Sequence, residues 1–384
     1  MSKLVDLKDD PTAFRGAVRE WLNKALPVDW RARHREDSFK FERWWFNELL
    51  EVGLATPHWP AEFGGADLNL ASQVIVADEI ARADGPDLKM YIVALTHVPA
   101  TLLRWGTGEQ KANYLPSVSR RGEVWCQGFS EPSAGSDLAS LRTSAFRDGD
   151  EYVVNGQKIW SSGAMFARYC LLLARTDPNA KKHAGISYFI LDMQTAGVEP
   201  RPIKQATGES EFCELFLTDV RVPARDRIGA EGQGWEVAQS TLSAERGVYG
   251  YGITERLCYR VQRFYSEAVC SKADWLEDDQ LRREFMTLFG RMQALRRMTR
   301  RVLEESEHAP SAPSMMPVFV KLIGTDLHQQ FADLLVRIAG INAQELADEG
   351  PLFDFIASFG LTISAGTNEI MRNIVAERGL GMPR

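Results

Sequence analysis

The chain has 384 residues, with 45 Lys plus Arg against 52 Asp plus Glu and a formal net charge of -7. That length favours two or three packed units with enough interior to bury a large ligand, and an acidic balance without any basic run argues against a nucleic-acid partner. The charged start, Leu4-Val-Asp-Leu-Lys-Asp-Asp10, lacks the apolar core of a secretory signal, and no later segment approaches the roughly 20 apolar residues of a bilayer-crossing helix, so a soluble cytoplasmic protein without membrane insertion is expected.

From about residue 10 to 120 apolar positions recur every three or four residues, as in Phe41, Trp44, Trp45 and Leu49, which predicts amphipathic helices. The break between Thr56 and Leu70, with His58-Trp-Pro-Ala-Glu-Phe-Gly-Gly65, is rich in turn residues and is expected to project from the bundle as a loop. Near Glu123 the pattern changes to short β-branched and aromatic runs: Tyr152–Val154, Tyr169–Leu173, Ser187–Leu191 and Phe212–Leu217. Turn clusters at Asp148-Gly-Asp150 and Asp177-Pro-Asn179 separate them, so antiparallel strands are expected. After Gly234 the helical period returns over Arg256–Tyr265, Leu281–Glu305, Met316–Ile338 and Ile370–Arg378. The reading is an α+β multidomain chain: an N-terminal helical bundle (1–122), a middle antiparallel β domain (123–233) and a C-terminal helical bundle (234–384).

Five cysteines, at 126, 170, 213, 258 and 270, form no paired spacing and predict neither a disulfide framework nor a zinc site. The six histidines are scattered and stand in no ligand motif such as HExxH, so no metal is expected.

The densest chemical signal is Gly128-Phe-Ser-Glu-Pro-Ser-Ala-Gly-Ser-Asp137, followed by Gly156-Gln-Lys-Ile-Trp-Ser-Ser162. Small hydroxyl residues and glycines let N–H and O–H donors approach a planar, acceptor-rich ring, and a tryptophan can cover one of its faces, which suits a flavin. The same composition also describes an ordinary Gly/Ser turn between strands.

In combination these segments resemble the acyl-CoA dehydrogenase family over almost the whole chain. Ser130-Glu-Pro-Ser-Ala-Gly-Ser-Asp137 matches the signature Ser/Thr-Glu-x-x-Ala-Gly-Ser-Asp. Trp59-Pro-Ala-Glu-Phe-Gly-Gly65, Gly106-Thr-Gly-Glu-Gln-Lys111, Gly156-x-Lys158-x-Trp160 and Gly366-Thr-Asn-Glu369 follow in family order. The resemblance implies FAD as cofactor and an acyl-CoA as substrate in lipid β-oxidation chemistry. It places the Phe129 backbone and the Ser130 hydroxyl at the flavin pyrimidine end, Trp160 against the ring and Ser162 near its reactive N5. Thr367 and Glu369 would approach the adenine and pyrophosphate part of FAD, and Ser136 the CoA moiety.

Dehydrogenation removes the α-proton of the thioester while a hydride leaves the β-carbon, and a desolvated carboxylate suits the first task because burial makes it a stronger base. Many relatives carry that carboxylate just before the C-terminal Gly-Thr. Here the residues are Ser364-Ala365-Gly366-Thr367, so it is missing. A smaller branch, isovaleryl-CoA-like, places the base at a Glu-Arg pair on a helix, and Leu242-Ser-Ala-Glu245-Arg246 stands at that place. Glu245 is therefore the candidate base. A solvated Glu paired one turn away is the bland reading of the same residues. By resemblance the Ala365 N–H and a ribityl hydroxyl would polarise the thioester carbonyl. Arg246 is read as structural or pocket-lining on the substrate side with Tyr249, and Tyr249-Gly-Tyr-Gly252, read as continuing the Glu245 helix, either leave room for a wide acyl group or serve helix packing.

Two partner-contact motifs of the family are degraded. Arg-x-x-Phe-Gly has no match between Phe264 and Asp279, and Gln-x-x-Gly-Gly-x-Gly is replaced by Arg337-Ile-Ala-Gly-Ile-Asn-Ala343. These departures fit a heterotetramer with a related chain, as in certain bacterial enzymes acting on steroid side chains, as well as a homotetramer or dimer with altered FAD contacts. Electron-transfer flavoprotein or a similar acceptor is the expected electron partner. The competing functions are a catalytically silent partner subunit and a flavin oxidase or monooxygenase on the same fold.

Overall fold

The computed structural model of the chain describes residues 4–243, 247–308, 314–344 and 350–383. Among them are helices α1 (Pro11–Ala25), α2 (Trp30–Glu36), α3 (Ser38–Glu51), α4 (Leu70–Arg82), α5 (Val98–Trp105), α6 (Gly108–Ser119), α7 (Gly234–Ser243), α8 (Val248–Ser271), α9 (Asp279–His308), α10 (Met316–Ala339), α11 (Pro351–Ile363) and α12 (Asn368–Ile374). The strands are β1 (Trp125–Gly128), β2 (Ser144–Asp148), β3 (Glu151–Ser162), β4 (Tyr169–Arg175), β5 (Ile186–Asp192), β6 (Val198–Ile203), β7 (Phe212–Pro223) and β8 (Arg227–Ile228). The order is helices, then a sheet, then helices, as the periodicity predicts.

The chain divides into two compact units. The first comprises the segments up to Phe14, Pro27–Asn69 and Pro86 to the end of α7; the second comprises Arg15–Leu26, Leu70–Gly85 and everything from Gly247 onward. In the first unit the sheet runs in the order β6-β7-β3-β2-β4-β5-β8, with β1 also paired to β4. Most pairings are antiparallel, but β1 and β2 each lie parallel to β4, which corrects the purely antiparallel expectation. The physical reason is connectivity: β1 and β4 are joined through the motif turn, β2 and β3, a connection long enough to return in the same direction.

Alternation along β7 buries Cys213, Leu215 and Leu217 against Tyr152, Val154, Cys170, Leu172 and Phe189. The register slips at Asp219, whose φ of 49° and side-chain bonds with Asn155 accommodate an extra residue. β4 and β5 are buried on both faces and so read as unbroken apolar runs. α5 and α7 cover this side of the sheet: Thr101 and Thr241 share a 2.6 Å hydrogen bond, and the Trp105 indole donates to Ser240.

Two motif segments have structural explanations. The Thr107 hydroxyl caps α6 by accepting from the Gln110 backbone N–H, and the Gln110 side-chain oxygen Oε1 accepts from the Thr107 N–H, a reciprocal capping box. The Gln110 amide nitrogen then donates to the Arg225 and Arg227 carbonyls at 2.7 and 2.9 Å, clasping the start of β8. The Thr56–Leu70 segment does not project. Trp59 has no exposed surface, Leu68 is buried, and backbone bonds from Leu68 to Pro57 and from Gly65 to Pro60 fold the segment around the indole. Its apolar anchors outweigh the turn composition.

In the second unit, α9 presents Phe285, Leu288, Met292 and Leu295, spaced at three and four residues, to Cys258 and Val261 of α8 and to Leu327, Phe331 and Leu334 of α10. α8 starts afresh at Val248, with Gly247 in a non-helical conformation, so Tyr249–Gly252 form its first turn instead of extending α7.

Candidate active site

β1 delivers the motif. Gly128 ends the strand where an added Cβ would stand 3.0 Å from Cys170 Sγ and 3.1 Å from Leu172 Cδ1. This close packing seats Phe129, which is 4 % exposed with its ring edge-on to Tyr188. Ser130 is half-buried, and Glu131 and Ala134 exchange backbone bonds of 3.1 and 3.0 Å that close the motif into a tight turn. Ser136 stands exposed on this turn next to Asp137, whose carboxylate accepts from Lys182 at 2.6 Å and is held below the usual carboxylate range by that bond.

β3 carries the second half. A register shift between Lys158 and Ser161 gives β3 one residue more than β7, and Trp160 within the bulge adopts φ +62°. A left-handed conformation disfavours a bulky L-residue by about 1–2 kcal/mol, and such outliers persist where the surroundings impose them. Here the bulge lifts the indole out of the sheet: Trp160 is 56 % exposed, and its ring stands nearly perpendicular to that of Phe212. Ser162 follows, half-buried at the end of the strand. A largely exposed indole, with the half-buried residues Ser130 and Ser162 on the flanking backbone, fits a planar acceptor-rich ring.

Between these segments lies a pair to which sequence reasoning gave no role. Lys158, without exposed surface, donates to the Phe129 carbonyl at 3.0 Å and to Glu131 at 2.9 Å. Burial pulls its ammonium down to about 8 against the opposing pull of Glu131. Burial pushes the Glu131 carboxyl up, but the charge of Lys158 and hydrogen bonds from Thr143, Lys158 and Arg142 outweigh it and leave the group below its ordinary value. A lysine within a strand run rich in apolar neighbours was the available signal.

In the second unit, Ser364 closes α11, and Ala365 and Gly366 follow with φ of 53° and 87°. Ala365 is exposed. Lys321 on α10 donates to the Gly366 carbonyl at 2.7 Å and to the Asn368 side chain at 2.8 Å, fixing this turn. The Thr367 hydroxyl caps α12 by accepting from the Ile370 N–H, and Glu369 is exposed beside Arg372 in the first turn. Tyr249 is half-buried in the first turn of α8. Glu245 and Arg246 lie outside the described residues. Arg337, at the start of the degraded partner motif, pairs within its own chain with Glu284 and Asp333.

Residues 8–121, 126–220 and 232–380 match, in order, the N-terminal, middle and C-terminal domains of acyl-CoA dehydrogenase. The chain belongs to the acyl-CoA dehydrogenase family. Acyl-CoA dehydrogenase IpdE1 of Mycobacterium tuberculosis is 36 % identical over 387 residues, covering 98 % of both chains. Among solved structures, a chain of the Tcur3481-Tcur3483 steroid ACAD shares 31 % identity with a TM-score of 0.86, covering 97 % of this chain and 98 % of that one. A chain of the ChsE4-ChsE5 complex from Mycobacterium tuberculosis shares 29 % identity with a TM-score of 0.82, covering 98 % of each. Membership makes this acyl-CoA dehydrogenase an oxidoreductase acting on acyl-CoA, with FAD as its cofactor.

Proposed function

We propose that the chain catalyses α,β-dehydrogenation of a bulky, ring-bearing acyl-CoA to the 2-enoyl-CoA, with Glu245 removing the α-proton. The observation that carries this reading is Ala365: the position before Gly-Thr holds no carboxylate, yet its backbone is kept in a left-handed turn by Lys321. The main-chain N–H there retains its use as a donor to the thioester oxygen, and the proton acceptor must come from elsewhere. Glu245 supplies it.

FAD, when bound, would supply the hydride acceptor for the β-carbon. The chain's own contributions are positional. Phe129, Ser130, Trp160 and Ser162 hold the ring system, Thr367 and Glu369 attend the adenine and pyrophosphate end, and Ser136 with the Asp137–Lys182 pair lies toward CoA. Arg246 and Tyr249 line the acyl side. A ring-bearing acyl group is supported by the likeness to a chain of the Tcur3481-Tcur3483 steroid ACAD at 31 % identity. Assembly with a related chain is supported by the two-chain neighbours and by Arg337 being engaged within its own chain. Electron-transfer flavoprotein or a similar acceptor reoxidises the assembly, in the soluble phase of the cytoplasm.

The test is anaerobic mixing of the flavin-loaded protein with straight, branched and steroid-side-chain acyl-CoA thioesters, following loss of visible flavin absorbance. Fast bleaching with the ring-bearing thioester is expected, slowed about 10²–10⁴-fold in Glu245→Gln. Equal rates in the parent and Glu245→Gln overturn the base assignment, and bleaching by straight chains alone overturns the substrate class.

A further inference from the structure

Two consecutive carbonyls of the motif, those of Phe129 and Ser130, are both bound by β3. Lys158 Nζ donates to the first at 3.0 Å, and the Ile159 N–H donates to the second at 2.9 Å. The ammonium is fixed in turn by Glu131 at 2.9 Å, and Glu131 by the N–H groups of Arg142 at 2.7 Å and Thr143 at 2.8 Å. Every member of this chain of bonds belongs to the first unit. Lys158 has no exposed surface and Glu131 only 6 %.

A peptide unit is planar and trans, so its C=O and N–H point in opposite directions. Holding the Phe129 carbonyl on Lys158 therefore turns the Ser130 N–H away from the buried ammonium. A buried ion pair is weak evidence for stability, because desolvation offsets its attraction. Its effect here is directional.

We propose that Lys158, with Glu131 as counter-ion, is a positioning residue that aims the Ser130 N–H at the carbonyl-bearing edge of the flavin pyrimidine ring. This rests on the reading that Phe129 and Ser130 face that ring. The plain alternative is a staple that joins the motif turn to β3 and does nothing for the cofactor.

The experiment uses the assembly as it purifies and compares the parent with Lys158→Met and with Lys158→Met/Glu131→Gln, which removes both charges and leaves one acceptor oxygen at 131 for one of the Arg142 and Thr143 amides. The FAD dissociation constant is measured by titrating apoprotein, the flavin carbonyl stretches by Raman difference spectroscopy, and the fold by circular dichroism. In the double variant a native spectrum, FAD affinity weakened about tenfold or more, and shifted carbonyl bands are expected. A folded double variant with parental affinity and bands overturns this inference while leaving the flavin reading intact. Loss of the folded β domain in both variants also overturns it, in favour of the staple. A parent that takes up no FAD overturns the flavin reading and the inference together.

Discussion

The Nε of Arg296 lies 2.7 Å from both carboxylate oxygens of Glu255, a side chain with no exposed surface. Glu255 stands on α8, the helix that starts three positions after Glu245, so this pair ties α8 to α9. Removing one partner from a buried pair is expected to destabilise by about 3–5 kcal/mol, whereas replacing both with apolar or neutral groups recovers much of that loss. A double-mutant cycle of Glu255→Gln and Arg296→Met, read by urea denaturation, should show strong coupling; additive losses would mean that the two side chains act independently.

Acid stability should carry the mark of Glu79. Arg15, Arg19 and Arg82 each bond this buried carboxylate at 2.8–2.9 Å. Burial raises its pKa, but the three guanidinium hydrogen bonds outweigh that and hold it at about 2, below the ordinary 4.5. A folded pKa below the unfolded one contributes stability that is complete above about 4.5 and is lost as the pH falls toward about 2. Glu79→Gln should lower stability at neutral pH and flatten its fall across that window. Parallel pH profiles for parent and variant would remove Glu79 from the explanation.

Trp160→Gly separates strain from function. Glycine adopts φ +62° without the steric penalty, and little packing is lost because the indole is largely exposed. The apoprotein should be as stable as the parent, or more stable by up to about 1 kcal/mol, while on the proposed reading of Trp160 against the flavin, FAD affinity falls about tenfold or more. A calorimetric Tm well below the parent's would show that the ring supports the β domain itself.

Lys321→Met tests the turn around Ala365. Without the ammonium the Gly366 carbonyl loses this donor and the Asn368 side chain keeps only that from Thr325, and on the proposed reading the Ala365 N–H is no longer held as a donor to the thioester oxygen. Loss of one such donor lowers kcat by about 10²–10³ in well-studied cases. Since the effect here is indirect, a smaller fall of about tenfold in kcat with little change in KM is expected. A change confined to KM would assign Lys321 to ground-state binding.

The helix–sheet–helix order was legible because burial imposes period 3.6 on one-sided helices and period 2 on half-buried strands. The conformations that shape the site were not. Lys158 and Trp160 share the same parity on β3, so alternation assigns them one face. Yet the lysine is sealed inside and the tryptophan stands out, because a bulge intervenes. Short or proline-bearing strands such as β6, Val198-Glu-Pro-Arg-Pro-Ile203, escaped notice because proline and charge mask an edge position. Trp59 shows the converse. Its Pro and Gly neighbours signal a turn, but only the fold reveals that the turn closes over a buried indole.

The turn at Ala365 owes its shape to Lys321 and to the glycine beside it, and the hydrogen bonds that hold it run through Gly366 and Asn368, not through the side chain of residue 365. On the proposed reading, a lineage could move its acid from one end of the C-terminal region to the other while this turn kept the amide donor, and the opposite exchange, Ala365→Glu, would keep the Lys321 bonds at the cost of a larger side chain at φ +53°.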